Sequence, residues 1–229
     1  MVVVAGLDGS YDATRAIGRT VVRPPRDPGT NPLQELHIAC RDGDKEKVEQ
    51  LLEAPAVKDP PPGMRPLEAL AKFGWTPLIF AARHGHPDIV TMLVDAGAFL
   101  HAKDHSGSTA MHSAAFAGSV KTIETLLDLG SPIDPVNKRG QTPLHVAASN
   151  GCLPAAKCLI KRGASPKSRD GPLTDGMLPE EVAEMFHEEE TADFLRQTLK
   201  QFYVDVQRAS VSSDPKAKAW LTLMMSKRE

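Results

Sequence analysis

Residues 142–151 read T-P-L-H-V-A-A-S-N-G, and the same frame returns twice upstream at an interval of 33. From Gly74 it runs G-W-T-P-L-I-F-A-A-R-H-G, from Gly107 G-S-T-A-M-H-S-A-A-F-A-G, and from Gly140 G-Q-T-P-L-H-V-A-A-S-N-G. The agreement continues through Leu93, Leu126 and Leu159, then through Gly97, Gly130 and Gly163. A fixed period in the range of about 20–50 residues marks stacked modules, each too small to bury its apolar face alone.

Each column has a mechanical reason. Thr76, Thr109 and Thr142 are placed to N-cap a short helix. Pro77 and Pro143 follow at the first helical position, where a missing N–H costs nothing. The Ala-Ala pairs 81–82, 114–115 and 147–148 are small enough for helices to stack closely. Gly85, Gly118 and Gly151 suit a left-handed residue just past that helix. A second helix follows, opened by Pro87 or Ser119, with Ile89, Val90, Leu93 and Val94 at helical spacing. Gly97, Gly130 and Gly163 end it, and an extended turn leads to the next unit.

These residues resemble the ankyrin-repeat family, with three full repeats over 71–169. A degenerate repeat precedes them, carried by Leu36-His37-Ile38-Ala39, Gly43, Val48, Leu51 and Leu52. Another follows after a three-residue insertion, carried by Gly176, Leu178-Pro179, Val182-Ala183 and Phe194-Leu195. The expected fold is an all-α repeat solenoid of about five helix-turn-helix units with hairpin loops, with atypical end repeats as caps. Its repeats fall at about 33–54, 71–103, 104–136, 137–169 and 170–199. At about 10 Å per helix layer the stack is roughly 50 Å long.

The first repeat spacing, Gly43 to Gly85, is nine residues longer than the period. The excess falls in P-A-V-K-D-P-P-P-G-M-R-P, Pro55 to Pro66, whose prolines exclude a helix interior. An inserted loop over 55–70 is therefore expected. Residues 1–31 lack periodicity and read as an N-terminal arm, with polyproline-like chain at Arg23–Pro28. Residues 200–229 read as a C-terminal arm that extends the last helix and then passes through a Ser-rich linker. Within it, 215–227 places Ala217, Trp220, Leu221 and Met224 on one face of an amphipathic helix, with Lys216, Lys218, Lys227 and Arg228 around them. So short a helix needs something to dock on, either the repeats or a partner.

Composition narrows the function. The 229 residues carry 27 Lys and Arg against 29 Asp and Glu, a net charge of −2, so the chain is not globally a nucleic-acid binder. No apolar run exceeds the five residues of Met1–Ala5, so neither a membrane span nor a secretory leader is expected there. Cys40, Cys152 and Cys158 match no zinc or redox spacing and read as reduced thiols. His84, His86, His101 and His105 cluster in sequence, but no Cys or carboxylate completes a zinc set among them. No catalytic constellation, cofactor or metal is expected.

The resemblance implies that His37, His112 and His145 tie neighbouring turns by hydrogen bonds. It also implies that partners bind at the hairpin tips and the exposed face of each first helix, along a concave groove. Carried onto this chain, those columns are Lys72, Phe73, Trp75, Arg83 and His84, then Lys103, His105, Ser106, Ser108 and Phe116. The third full repeat adds Lys138, Arg139, Gln141, Ser149 and Asn150, with Arg169 at the following turn. The set holds six Lys or Arg, no Asp or Glu, and three aromatics in a chain where aromatics are only 5%. The expected function is a non-enzymatic adaptor or scaffold for a protein partner with an acidic and apolar segment, placed in the cytoplasm. The alternatives are a structural component of a cytoskeletal or axonemal assembly and a regulatory or substrate-recognition subunit of an enzyme complex, with nuclear or cytoskeletal and ciliary placement as the alternatives to the cytoplasm.

Overall fold

Thr76, Thr109 and Thr142 hold extended backbone immediately before a helix, as an N-cap requires. The Thr76 hydroxyl accepts the Ile79 N–H at 3.4 Å. The structure is a computed structural model that describes residues 32–58, 66–171, 176–211, 214–216, 218–219 and 222. The N-terminal arm, residues 59–65 and the apolar stripe of the C-terminal segment lie outside the described residues.

In chain order, α1 (Pro32–Asp42) pairs with α2 (Lys45–Glu53), and a short α3 (Pro55–Lys58) follows. Then come α4 (Pro77–Arg83) with α5 (Pro87–Asp95), and α6 (Ala110–Ala117) with α7 (Val120–Asp128). The last pairs are α8 (Pro143–Ser149) with α9 (Leu153–Lys161), and α10 (Pro179–Met185) with α11 (Glu189–Val211). First helices pack in one row, α1 on α4 on α6 on α8 on α10. Second helices form the other row, α2 on α5 on α7 on α9 on α11. The described residues contain no strand, so the fold is the all-α solenoid of five helix pairs.

The core lies between the rows. All six residues of the three Ala-Ala pairs are fully buried, as are Leu93, Leu126 and Leu159 on the second helices. Each buried leucine contributes about 2 kcal/mol by leaving water, while the alanines set how closely successive first helices approach. Gly118 caps α6 at φ 68°, a conformation that costs a residue with a Cβ roughly 1–2 kcal/mol. In the fifth pair His187 occupies that same column, at φ 62°.

One segment differs from expectation. Pro55 and its neighbours form one helical turn, α3, within the segment read as a loop over 55–70. A proline at the first helical position gives up no helix bond, so the prolines start this turn rather than forbid it. Pro66–Glu68 adds a 3-10 turn before the second repeat. Past 199, α11 continues unbroken to Val211 with no Gly or Pro to stop it, in keeping with a C-terminal arm that begins by extending the last helix.

Candidate functional site

Neighbouring hairpin tips are tied by one backbone bond per repeat. His105 N–H donates to Phe73 O at 3.0 Å, Lys138 N–H to Ser106 O at 2.9 Å, and Gly171 N–H to Arg139 O at 2.6 Å. The tips of the third and fourth repeats are also braced from within. Asp104 Oδ1 accepts from the Ser106 and Ser108 N–H groups, both at 2.8 Å, and from the Ser106 hydroxyl at 2.6 Å. Asn137 Oδ1 accepts from Arg139 N–H at 2.9 Å and Gln141 N–H at 3.0 Å. The short polar side chain that begins each of these two turns therefore fixes the turn residues beyond it.

Behind the tips sit buried imidazoles. His112 Nδ1 accepts the Thr109 N–H at 3.2 Å, so its proton lies on Nε2, which donates to Gln141 O of the next repeat at 2.9 Å. His145 repeats this with Thr142 N–H at 3.2 Å and Met177 O at 3.1 Å. His37 Nε2 lies 3.0 Å from Ala69 O. Burial outweighs these bonds and lowers the pKa of all three below 6.5, so the neutral ring is the structural form. The second repeat has Ile79 in this column and no imidazole there.

On the exposed side of that interface the aromatic residues gather. The Arg83 guanidinium carbon lies 3.7 Å from the Phe116 ring centroid and 5.0 Å from that of Trp75. Phe73 and Phe80 flank Trp75, with centroids at 5.8 and 5.1 Å, and the His84 ring stacks on Phe80 at 6.3 Å. Partial burial lowers the Arg83 pKa, while the charge of Asp104 opposes that shift. Phe73 is 59% exposed and holds φ 70°, ψ 7°, a left-handed conformation that is costly for an aromatic residue. Phe116 is exposed and Trp75 half-buried.

The remaining predicted positions divide. Lys138, Arg139 and His105 are exposed at the tips. Lys103 reaches the Val136 carbonyl at 3.4 Å. Asn150 sits beside Phe116, its amide nitrogen 3.5 Å from the Phe116 carbonyl. Ser106 and Ser108 are engaged by Asp104, the Ser149 hydroxyl by Val146 O, and the Gln141 amide by Asn137. Arg169 is exposed but engaged by its own loop, donating to Gly176 O at 2.7 Å with Glu181 at 3.7 Å. The Lys72 side chain lies outside the described residues.

Sequence reasoning passed over the continuation of these columns into the end repeats. The position two before the left-handed residue reads Arg41, Arg83, Phe116, Ser149, Met185, and the next reads Asp42, His84, Ala117, Asn150, Phe186. Met185 is 53% exposed and Phe186 52%, so a second apolar contact lies at the far end of the same face. Ile38, in the column of Phe80, is exposed at the near end. Treating His187 as the fifth left-handed glycine would have revealed them.

Other chemistry is separated or occupied. His86 Nε2 donates to Arg41 O at 3.1 Å while His84 Nδ1 faces Phe80 O at 3.0 Å, so the pair across Gly85 serves different repeats. Among the described residues no three His, Cys, Asp or Glu converge to hold a metal ion. Burial pushes the Cys40 thiol up to about 12, unlike a nucleophile. No described helix is long and apolar enough to cross a membrane.

Comparison with known proteins agrees with this geometry. The family model for ankyrin repeats, in three copies, matches residues 24–104 and 99–170. The chain is 34% identical over 91 residues to inversin of Danio rerio, covering 40% of this chain and 8% of inversin. It is 33% identical over 87 residues to the human NAD-capped RNA hydrolase NUDT12, covering 38% of this chain and 17% of the hydrolase. It is 38% identical over 84 residues to the probable E3 ubiquitin-protein ligase XBOS33 of Oryza sativa subsp. japonica, covering 35% of this chain and 14% of that protein. The chain thus spans under a fifth of the length of these relatives, which differ from one another in what they do. Their shared part is a stack of helix pairs that as a class mediates protein–protein contact and is typically non-enzymatic, and by its repeats and its fold this chain belongs to the ankyrin-repeat family.

Proposed function

We propose that the chain is a non-catalytic adaptor whose groove, along the first helices and hairpin tips, takes a partner segment carrying apolar and acidic side chains. The observation behind this reading is the stacking of Arg83 between Trp75 and Phe116. A guanidinium stacked on rings keeps its N–H edge available for a carboxylate, and partial desolvation strengthens the resulting charge-assisted pair. Exposed Phe73 beside it, and Met185 and Phe186 three repeats away, offer apolar contact at two points along one face. Lys138 and Arg139, between them, add positive potential that guides encounter.

The test begins with proximity labelling by the wild-type chain and by a Trp75→Ala, Arg139→Glu variant. A protein labelled only by the wild type is the candidate partner. Trp75→Ala alone should then weaken its binding by about 2 kcal/mol, roughly 30-fold, with unchanged far-UV circular dichroism. Wild-type affinity in that variant and in Lys138→Glu, Arg139→Glu together would remove the groove from consideration.

A further inference from the structure

A second recess lies on the other row of helices. It is a cleft of about 550 Å³ between the end of the fourth repeat and α11, with Ile160 and Pro166 on one wall and Phe194 and Phe202 on the other. The α11 wall runs along one helical face as far as Asp205. One turn further on the same face, Ala209 is only 6% exposed and Val206 is half-buried, although α11 has there outrun the nine-residue α9.

The chain supplies a segment of matching length and pattern. Asp214 opens a new helix three residues after α11 ends: its Oδ1 accepts the Lys216 N–H at 2.9 Å and its carbonyl accepts the Lys218 N–H at 3.1 Å. The Thr222 hydroxyl continues the pattern, donating to Lys218 O at 3.0 Å. Lys216, Lys218, Ala219 and Thr222 are all exposed. At 100° per residue, Ala219 and Thr222 fall on the side of the helix away from Ala217, Trp220, Leu221 and Met224, with Lys216 and Lys218 at its two edges. Thirteen helical residues cover about 20 Å, close to the distance from Val211 back to Thr198 along α11.

We propose that the cleft and the end of α11 seat the chain's own residues 215–227, folded back antiparallel to α11 with Trp220 and Met224 level with Asp205 and Phe202. The segment fills the space between the fourth repeat and α11 and covers the α11 face that continues beyond the end of α9. The inference is independent of the partner groove, which lies on the other row of helices.

The experiment uses the full chain with Trp75→Phe, which leaves Trp220 as its one tryptophan. Trp220 should emit to the blue of a free peptide of residues 214–229 and resist acrylamide quenching several-fold better. Leu221→Asp with Met224→Asp, both outside the repeats, should return emission and quenching to the peptide values without unfolding the stack, as read by circular dichroism. Phe202→Ala should do the same from the cleft side. Peptide-like emission in the folded Trp75→Phe chain overturns the proposal. So does a blue shift that survives the double Asp variant, or one that vanishes on dilution, which would assign the cleft to a second copy of the chain.

Discussion

The interface between the second and third repeats is built differently from the two that follow it. Third to fourth and fourth to fifth, an imidazole reaches across: His112 to Gln141 O and His145 to Met177 O, each locked in one tautomer by a threonine N–H. Second to third, Ile79 fills the column with hydrocarbon, and Arg83 lies across the boundary on Phe116. One kind of interface is joined by buried polar groups, and the other adds an exposed stack on top of apolar packing. The repeat consensus fixes geometry where it is kept. Where it lapses, buried hydrocarbon fills the column, and side chains able to meet a ligand gather beside it on the exposed face.

The largest effect expected from breaking this contrast comes from His145→Ala. It leaves the Thr142 N–H and the Met177 carbonyl unpaired beside a cavity and should lower stability by about 3 kcal/mol in denaturant melts. A loss under about 1 kcal/mol would mean the imidazole bridges do not hold the later interfaces. Next comes pH. The three imidazoles accept a proton more readily unfolded, near 6.5, than in the structure, where burial lowers their pKa. Stability is therefore complete above about pH 6.5 and declines as pH falls toward the lowered values, by up to about 1.4 kcal/mol per pH unit for each histidine. A melting temperature unchanged from about pH 7.5 to about pH 5 would contradict this.

Phe73→Gly sharpens the comparison from the other side. It relieves the left-handed strain and should raise stability by about 1 kcal/mol while weakening partner binding. Gain of both would show that the strain serves nothing in the groove. Lys138→Glu with Arg139→Glu should leave thermal melting unchanged and slow association, most visibly at low salt. An association rate equal to wild type at low salt would exclude steering by this tip.

Most of the stack was legible because its columns act through local chemistry. Threonine caps, paired alanines and left-handed glycines each need one residue type for one backbone geometry, and they recur at a fixed interval. The groove was legible only in part. Trp75, Arg83 and Phe116 could be named from their columns, but their mutual stacking is a contact between repeats that spacing alone does not show. Arg169 was chosen for its column and instead ties its own loop through Gly176 O, because the hairpin there is interrupted by the insertion near Gly176. Phe73 in a left-handed conformation had no local sign, since glycine or asparagine ordinarily marks such a site. The run of α11 past residue 199 was legible, because no Gly or Pro interrupts the chain before the Ser-rich linker.

Among the described residues, packing runs chiefly from each helix pair to the next, and the backbone bonds between hairpin tips likewise join adjacent repeats. Such a stack flexes like a spring, its end modules free to shift as small displacements add along its length. A partner laid from Trp75 to Phe186 would touch modules that otherwise sense one another only through those between. It would work as a splint, fixing the curvature of the spring, and part of its binding free energy would go into stiffness rather than contact.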